Sequence, residues 1–163
     1  MPGAVRLGAV ALVHVVHGRV LLLRAAGADS GRDRGSLARS VKPGLKELVT
    51  APIGQGALTM PTAAASGENP VCGDRLTFEL RVDGANVEEL AFRATACPAC
   101  IAVASCAVSV LVDHRMPESP PFERLRDEVD RRGGLSRFEQ HAIALVEDVL
   151  RRAFASARAK RTS

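Results

Sequence analysis

The stretch Arg75–Val82, RLTFELRV, decides the fold, because apolar and polar side chains alternate along it without a break. Alternation with a period of two predicts a strand that has one face in the core and the other in water. A turn at Asp83–Gly84 follows, and a second alternating stretch runs from Val87 to Thr95. The sequence therefore predicts an antiparallel β-hairpin with one wet face.

Helical patterns surround this hairpin. They cover residues 44–50, 99–113, 122–132 and 136–157. Pro98 suits the first turn of the second helix, and Ser136 with Glu139 forms a capping box at the start of the fourth. The apolar face of the fourth helix contains Phe138, Ala142, Leu145, Val149 and Ala153. Strands followed by helices indicate an α+β fold, a small antiparallel sheet with helices packed on one face.

Charge and hydropathy separate the front of the chain from the rest. The formal charge is +4, and the basic excess lies in residues 1–60, which hold eight Lys or Arg and three Asp or Glu. We expect residues 1–41 to be a poorly structured or dispensable extension, with a secretory signal as the alternative, and residues 42–163 to form the domain. The apolar runs in residues 1–24 are too short to span a membrane.

Composition also excludes one class of partner. Aromatic residues make up 3% of the chain, and Trp and Tyr are absent. A stacking surface for single-stranded nucleic acid needs exposed aromatic rings, so we expect no nucleic-acid partner.

The four cysteines are the residues that indicate a chemical function. Cys72, Cys97, Cys100 and Cys106 lie close together in the chain, which is typical of metal or redox chemistry in a reducing, cytoplasmic compartment. A hairpin returns the chain to its starting point, so Cys72 and Cys97 are expected at the same end of the sheet. Asp74 adds an oxygen there, and the helix N-terminus is expected to favour the Cys97 thiolate. These groups predict an incomplete site for iron, zinc or an iron–sulfur cluster.

Two cysteines have other interpretations. Cys106, inside an apolar helix, is expected to be a small core residue. Cys97-Pro-Ala-Cys100 is similar to a thioredoxin-type pair, so a thiol oxidoreductase is the enzymatic alternative.

Taken together, residues 44–158 resemble the iron–sulfur cluster assembly scaffold family of the IscU, SufU and NifU N-terminal type. The family motif Asn-Pro-x-Cys-Gly-Asp is present in full at Asn69–Asp74, and the cysteine before an Ala/Ser-rich helix is matched by Cys97. The motif His-Cys-x-x-Leu-x-Glu-Asp is matched by His141–Asp148, except that Ala142 replaces its cysteine.

The resemblance implies a non-catalytic scaffold or carrier for iron or a [2Fe-2S] cluster. It also implies that a cysteine desulfurase supplies sulfur and that recipient apo-proteins accept the cluster. By position, it implies site residues Cys72, Asp74, Cys97 and His141. An Hsp70-type chaperone is not supported, because Leu135–Glu139 differs from the family's chaperone-recognition segment.

Ala142 leaves the third thiolate unassigned. Cys100 is three residues after Cys97 and therefore on the same helix face, so we hypothesise that Cys100 supplies it, with His141 or Asp74 as the fourth ligand. A zinc-binding sulfur acceptor or regulator would use the same residues. Two further alternatives remain. The chain could be a degenerate paralogue that only binds family partners, and His141 could be a structural residue on the helix surface.

Overall fold

The chain divides into two units, Met1–Ser30 and Gly31–Ser163. The computed structural model describes residues 14–16, 19–21, 41–112, 115–116 and 120–162. In the first unit, strands β1 (His14–Val16) and β2 (Arg19–Leu21) pair antiparallel. Most of residues 1–41 lie outside the described part, so the dispensable extension expected there stays a prediction.

The described residues of the second unit form three strands and four helices. The strands are β3 (Ala63–Asn69), β4 (Asp74–Asp83) and β5 (Asn86–Thr95), and the helices are α1 (Pro43–Thr50), α2 (Pro98–Leu111), α3 (Phe122–Arg131) and α4 (Gln140–Arg161). The predicted hairpin and all four predicted helices are present, which confirms the α+β class. Strand β3, with the sequence AAASGEN, was not predicted, because it lacks the β-branched and aromatic residues that mark a strand.

The sheet is antiparallel, with the strand order β3-β4-β5. Arg75 pairs with Thr95, so the start of β4 lies beside the end of β5. The apolar side chains of β4 face the core as predicted, since Phe78 and Leu80 are fully buried. The ring of Phe78 packs against that of Phe92 with 6.0 Å between centroids.

The polar face of the hairpin is less open to water than predicted. Glu79 is only 7% exposed. It forms an ion pair with Arg93, and its carboxylate accepts a hydrogen bond of 2.8 Å from the backbone N–H of Leu58. Residues 54–56 also pair with β5 at Phe92, so this stretch covers one edge of the sheet.

The helices form a layer on one face of the sheet. Helix α4 packs on β3 and β4, while α2 contacts β5, and helices α1, α3 and α4 all pack against α2. Helix α2 is accordingly apolar around most of its circumference, as a helix enclosed by neighbours should be. No helix in the described ranges combines the length and the hydropathy of a membrane span.

Helix α4 starts later than the capping pattern predicts. Residues 137–139 form a turn, and Glu139 Oε2 accepts a hydrogen bond of 2.8 Å from the backbone N–H of Ser136 before the helix begins at Gln140. Ala142, Leu145, Val149 and Ala153 are buried as predicted. The prediction for Phe138 was wrong: its side chain is 79% exposed, because helical periodicity does not extend into the turn.

The contact between β3 and α4 depends on Gly67. A Cβ atom at this position would lie 2.5 Å from Val149 Cγ2 and 3.2 Å from Leu145 Cδ1. We expect Gly67→Val to lower the free energy of unfolding by about 2 kcal/mol, because an overpacked core must shift. Urea denaturation measures the change. Ala64→Val, at an exposed position of the same strand, is the control and should change stability by less than about 0.5 kcal/mol; equal effects would refute the packing argument.

Candidate metal centre

The Asn69–Asp74 motif forms a tight turn between β3 and β4. The side-chain oxygen of Asn69 accepts a hydrogen bond of 3.0 Å from the backbone N–H of Val71. The backbone carbonyl of Asn69 accepts a second hydrogen bond, of 2.8 Å, from the backbone N–H of Gly73. Gly73 has a φ of 73°, which glycine adopts without steric cost. The turn leaves Cys72 exposed and directs the chain into β4 at Asp74.

Asp74 joins this turn to the start of α2. Its Oδ1 atom accepts a hydrogen bond of 2.7 Å from the backbone N–H of Cys97. The side chain is 5% exposed, and Oδ2 has no hydrogen-bond partner. A buried carboxylate oxygen without a partner is costly, which suits a position that receives a cation.

Cys97 is the N-cap residue of α2, as the sequence predicts, yet its thiol keeps its proton. Burial, together with a hydrogen bond with Asp74, raises its pKa from 9.0 to about 12. The backbone N–H groups of Cys100 and Ala99 lower the pKa, but by less. The helix N-terminus therefore acts in the predicted direction and favours the thiolate, but desolvation outweighs it.

His141 extends from the first turn of α4 toward both loops. Its Nδ1 lies 2.8 Å from the carbonyl oxygen of Phe138, and because a carbonyl only accepts, Nδ1 carries the hydrogen. In the neutral ring, Nε2 is then an unprotonated nitrogen that can accept a hydrogen bond from the Cys97 thiol, whose sulfur lies 3.4 Å away. The Phe138 carbonyl thus orients the ring, as partners of metal-binding histidines do. The role of the Phe138 carbonyl was not predicted from the sequence. The one signal for it in the sequence is that Phe138 lies three residues before His141.

Three of these side chains, those of Cys72, Asp74 and His141, lie together at the end of the sheet, and Cys97 contacts this group through His141. Nε2 of His141 lies 3.4 Å from Asp74 Oδ2 and 3.4 Å from Cys97 Sγ. The ligand atoms of Cys72, Asp74 and His141 all lie within 4.8 Å of one another. Sulfur, carboxylate oxygen and imidazole nitrogen together are suited to iron and zinc. Their role as ligands stays a prediction.

The other two cysteines lie deeper. The side chains of Cys100 and Cys106 are both 0% exposed and belong to the hydrophobic core. Burial raises the pKa of both thiols. Among the described residues, the group of close ligand atoms does not include Cys100, so its role as a third thiolate stays a prediction.

The buried thiols predict a loss of stability at alkaline pH. Between pH 9.0 and about 12 the Cys97 and Cys106 thiols stay protonated in the folded chain but ionise in the unfolded chain. The folded state therefore binds more protons, and the free energy of unfolding falls as the pH rises above 9.0. Urea denaturation of chelator-treated protein at pH 8 and pH 10 tests this. Cys106→Ala should show a smaller decrease, and a decrease equal to that of the unsubstituted chain would contradict the assignment.

Comparison with known proteins places the chain in a family. The chain is 35% identical over 86 residues to the iron-sulfur cluster assembly scaffold protein IscU 1 of Archaeoglobus fulgidus, an alignment that covers 52% of this chain and 55% of that protein. It is 29% identical over 113 residues to the bifunctional protein NifU/MnmA of Rubrobacter xylanophilus, covering 69% of this chain and 23% of the relative. The chain thus spans about half of the first relative and a quarter of the second.

A solved structure supports the fold. The crystal structure of a nitrogen-fixing NifU-like protein (N-terminal) from Brucella abortus superposes with a TM-score of 0.56 at 17% identity, over 72% of this chain and 94% of that one. Residues 44–163 match the NifU-like N terminal domain. The resemblance stated from the motifs is confirmed: the chain belongs to the NifU-like N-terminal domain family.

Proposed function

We propose that the chain is a non-catalytic carrier in iron–sulfur cluster assembly. It holds iron, as an ion or within a [2Fe-2S] cluster, on Cys72, Asp74, Cys97 and His141. A cysteine desulfurase supplies sulfur, and recipient apo-proteins take the cargo. The observation that supports this proposal is the convergence of two thiols, a carboxylate and an imidazole from three separate segments on one end of the sheet.

A buried carboxylate oxygen without a hydrogen-bond partner is consistent with a site that binds a cation. Asp74 Oδ2 is buried without a hydrogen-bond partner, and the lone pair of His141 Nε2 faces it at 3.4 Å. While the ring is neutral, Nε2 cannot donate to the carboxylate, whereas a cation bound between the two atoms would satisfy both. Thiolates are the soft ligands that stabilise iron and iron–sulfide cores, and binding would displace the Cys97 proton.

The exposure of the site fits a cargo that must leave again. Cys72 lies in an exposed turn, and the His141 side chain is 30% exposed. Asp74 and Cys97, in contrast, are held by the sheet and by α2. We infer that the site has a rigid inner half and an open outer half, through which a recipient's ligands can reach the metal.

A transfer assay tests this function. Chelator-treated protein is loaded anaerobically with iron(II) and desalted, so that it is the only iron source. A cysteine desulfurase, cysteine, a thiol reductant that converts the persulfide sulfur to sulfide, and an apo-ferredoxin are then added, and the visible absorbance of the ferredoxin cluster is followed. We expect the cluster to form with the unsubstituted chain and to fail with Cys97→Ala. Retained iron that never reaches the ferredoxin, or no retained iron, would contradict the proposal.

A further inference from the structure

Two free thiols lie one turn apart at the start of α2. Cys97 is the N-cap residue, and Cys100 is the third residue of the helix that begins at Pro98. The backbone N–H of Ile101 donates to the carbonyl of Cys97 at 3.2 Å, so the turn that joins the two cysteines is helical. Helical geometry places their Cα atoms about 5 Å apart. This separation lies within the range of about 4.4–6.8 Å that disulfides require.

The Cys97 side chain lies over this turn. Burial raises the pKa of Cys97, but the backbone N–H groups of Cys100 and Ala99 are close enough to the sulfur to lower it in part. Burial also raises the pKa of Cys100, and the nearby Cys97 thiolate raises it further. Each sulfur therefore lies in the neighbourhood of the other, and the backbone of the turn already has the spacing of a disulfide.

The surroundings give the two sulfurs different roles. Cys97 is half-buried, so a small oxidant in solution can reach it. Cys100 is 0% exposed, and its attack on Cys97 needs no access from solvent. Cys106 lies six residues beyond Cys100, about 9 Å along the helix axis, which is too far for a bond to either thiol.

We propose that Cys97 and Cys100 form a redox switch, in which hydrogen peroxide converts the two thiols to a disulfide and so removes Cys97 from the metal site. Cys97 Sγ attacks one peroxide oxygen and becomes a sulfenic acid, while the other oxygen leaves with the thiol proton as water. Cys100 Sγ then attacks Cys97 Sγ, and the sulfenic hydroxyl leaves with the Cys100 proton as a second water. Two electrons pass from the thiols to the peroxide.

The consequence for the cargo rests on the proposed function. Cysteine binds a metal as a thiolate, and a sulfur bonded to Cys100 is no longer one. In the reduced chain Cys97 Sγ lies 3.4 Å from His141 Nε2, beside the group of Cys72, Asp74 and His141. Oxidation leaves that group without the Cys97 thiolate. The chain therefore holds metal when reduced and releases it when oxidised.

Peptide mapping tests the bond itself. Chelator-treated full chain is incubated for several hours with a small excess of hydrogen peroxide, because burial raises the pKa of the Cys97 thiol to about 12 and slows its reaction. Ascorbate then reduces remaining sulfenic acids but not disulfides, and free thiols are labelled with N-ethylmaleimide after denaturation. We expect the tryptic peptide 94–115, which contains Cys97, Cys100 and Cys106, to lose two hydrogen atoms and to carry one label.

Two variants identify the bonded pair. Cys106→Ala should lose the same two hydrogen atoms and carry no label on this peptide, whereas Cys100→Ala should keep its hydrogens and carry two labels. A link from Cys97 to Cys72, or three labels on the peptide of the unsubstituted chain, would overturn the switch and leave the carrier function standing.

Zinc binding tests the consequence, because zinc(II) has no redox chemistry of its own. After desalting, competition with a coloured chelator compares the oxidised chain with the same sample reduced by dithiothreitol. We expect oxidation to weaken zinc(II) binding at least tenfold and reduction to restore it, while Cys100→Ala treated in the same way keeps its affinity. Equal affinity of the oxidised and reduced chains would overturn the switch alone. No zinc binding by the reduced chain would overturn the switch together with the proposed metal site.

Discussion

Replacing Cys97 by alanine should lower the affinity of the chain for iron(II) roughly a hundredfold or more. Loss of an outer-shell partner commonly costs about 10- to 100-fold in metal affinity, and loss of a ligand should cost at least as much. Cys97 is half-buried, and its Sγ lies 3.4 Å from His141 Nε2. The backbone of residue 97 would stay in place, because its N–H still donates to Asp74. Competition with a coloured chelator measures the affinity.

Cys106→Ala is the matched control for this experiment. It removes the same thiol from the same helix, nine residues and about 13.5 Å further along the axis. Cys106 is 0% exposed, so its loss should reduce stability through the core without changing iron affinity. Equal losses of affinity in the two variants would show that the Cys97 effect is structural and would contradict its assignment as a ligand.

Ala142→Cys should change what the chain can hold. Position 142 follows His141 and corresponds to the cysteine of the third family motif, so the substitution restores the thiol that this chain lacks. We expect the variant, incubated with iron(II) and sulfide, to retain more iron and acid-labile sulfide than the unsubstituted chain and to be more strongly coloured. A third thiolate supplies the soft ligand that an iron–sulfide core requires.

Ala142→Ser separates the thiol from the added volume. Residue 142 is 0% exposed, so both substitutions introduce one heavy atom into a filled space and should lower stability similarly. The serine variant should retain the same amounts of iron and sulfide as the unsubstituted chain. A cysteine variant that retains no more than the serine variant would contradict the conclusion that residue 142 limits the cargo.

The fold was predictable where local pattern and tertiary environment agree. The alternation along Arg75–Val82 corresponds to β4, and the apolar run after Pro98 corresponds to α2. Strand β3 was not predictable, because its small residues have no intrinsic preference for a strand. They are suited instead to close packing against α4. Phe138 was misplaced because the sequence does not reveal that a turn precedes Gln140.

The site was predictable in its members but not in its electrostatics. The hairpin register brings Cys72 and Cys97 to one end of the sheet, as the spacing indicated. The protonated state of Cys97 was not predictable, since it depends on burial and on Asp74. The link from Asp74 Oδ1 to the Cys97 backbone and the orientation of His141 by Phe138 likewise require tertiary coordinates.

X-ray absorption spectroscopy at the iron edge, on the iron(II)-loaded and desalted chain, tests the central claim most directly. It counts the atoms bound to the metal. Ligation by Cys72, Asp74, Cys97 and His141 predicts two sulfur and two nitrogen or oxygen neighbours. A shell without sulfur would contradict the proposal.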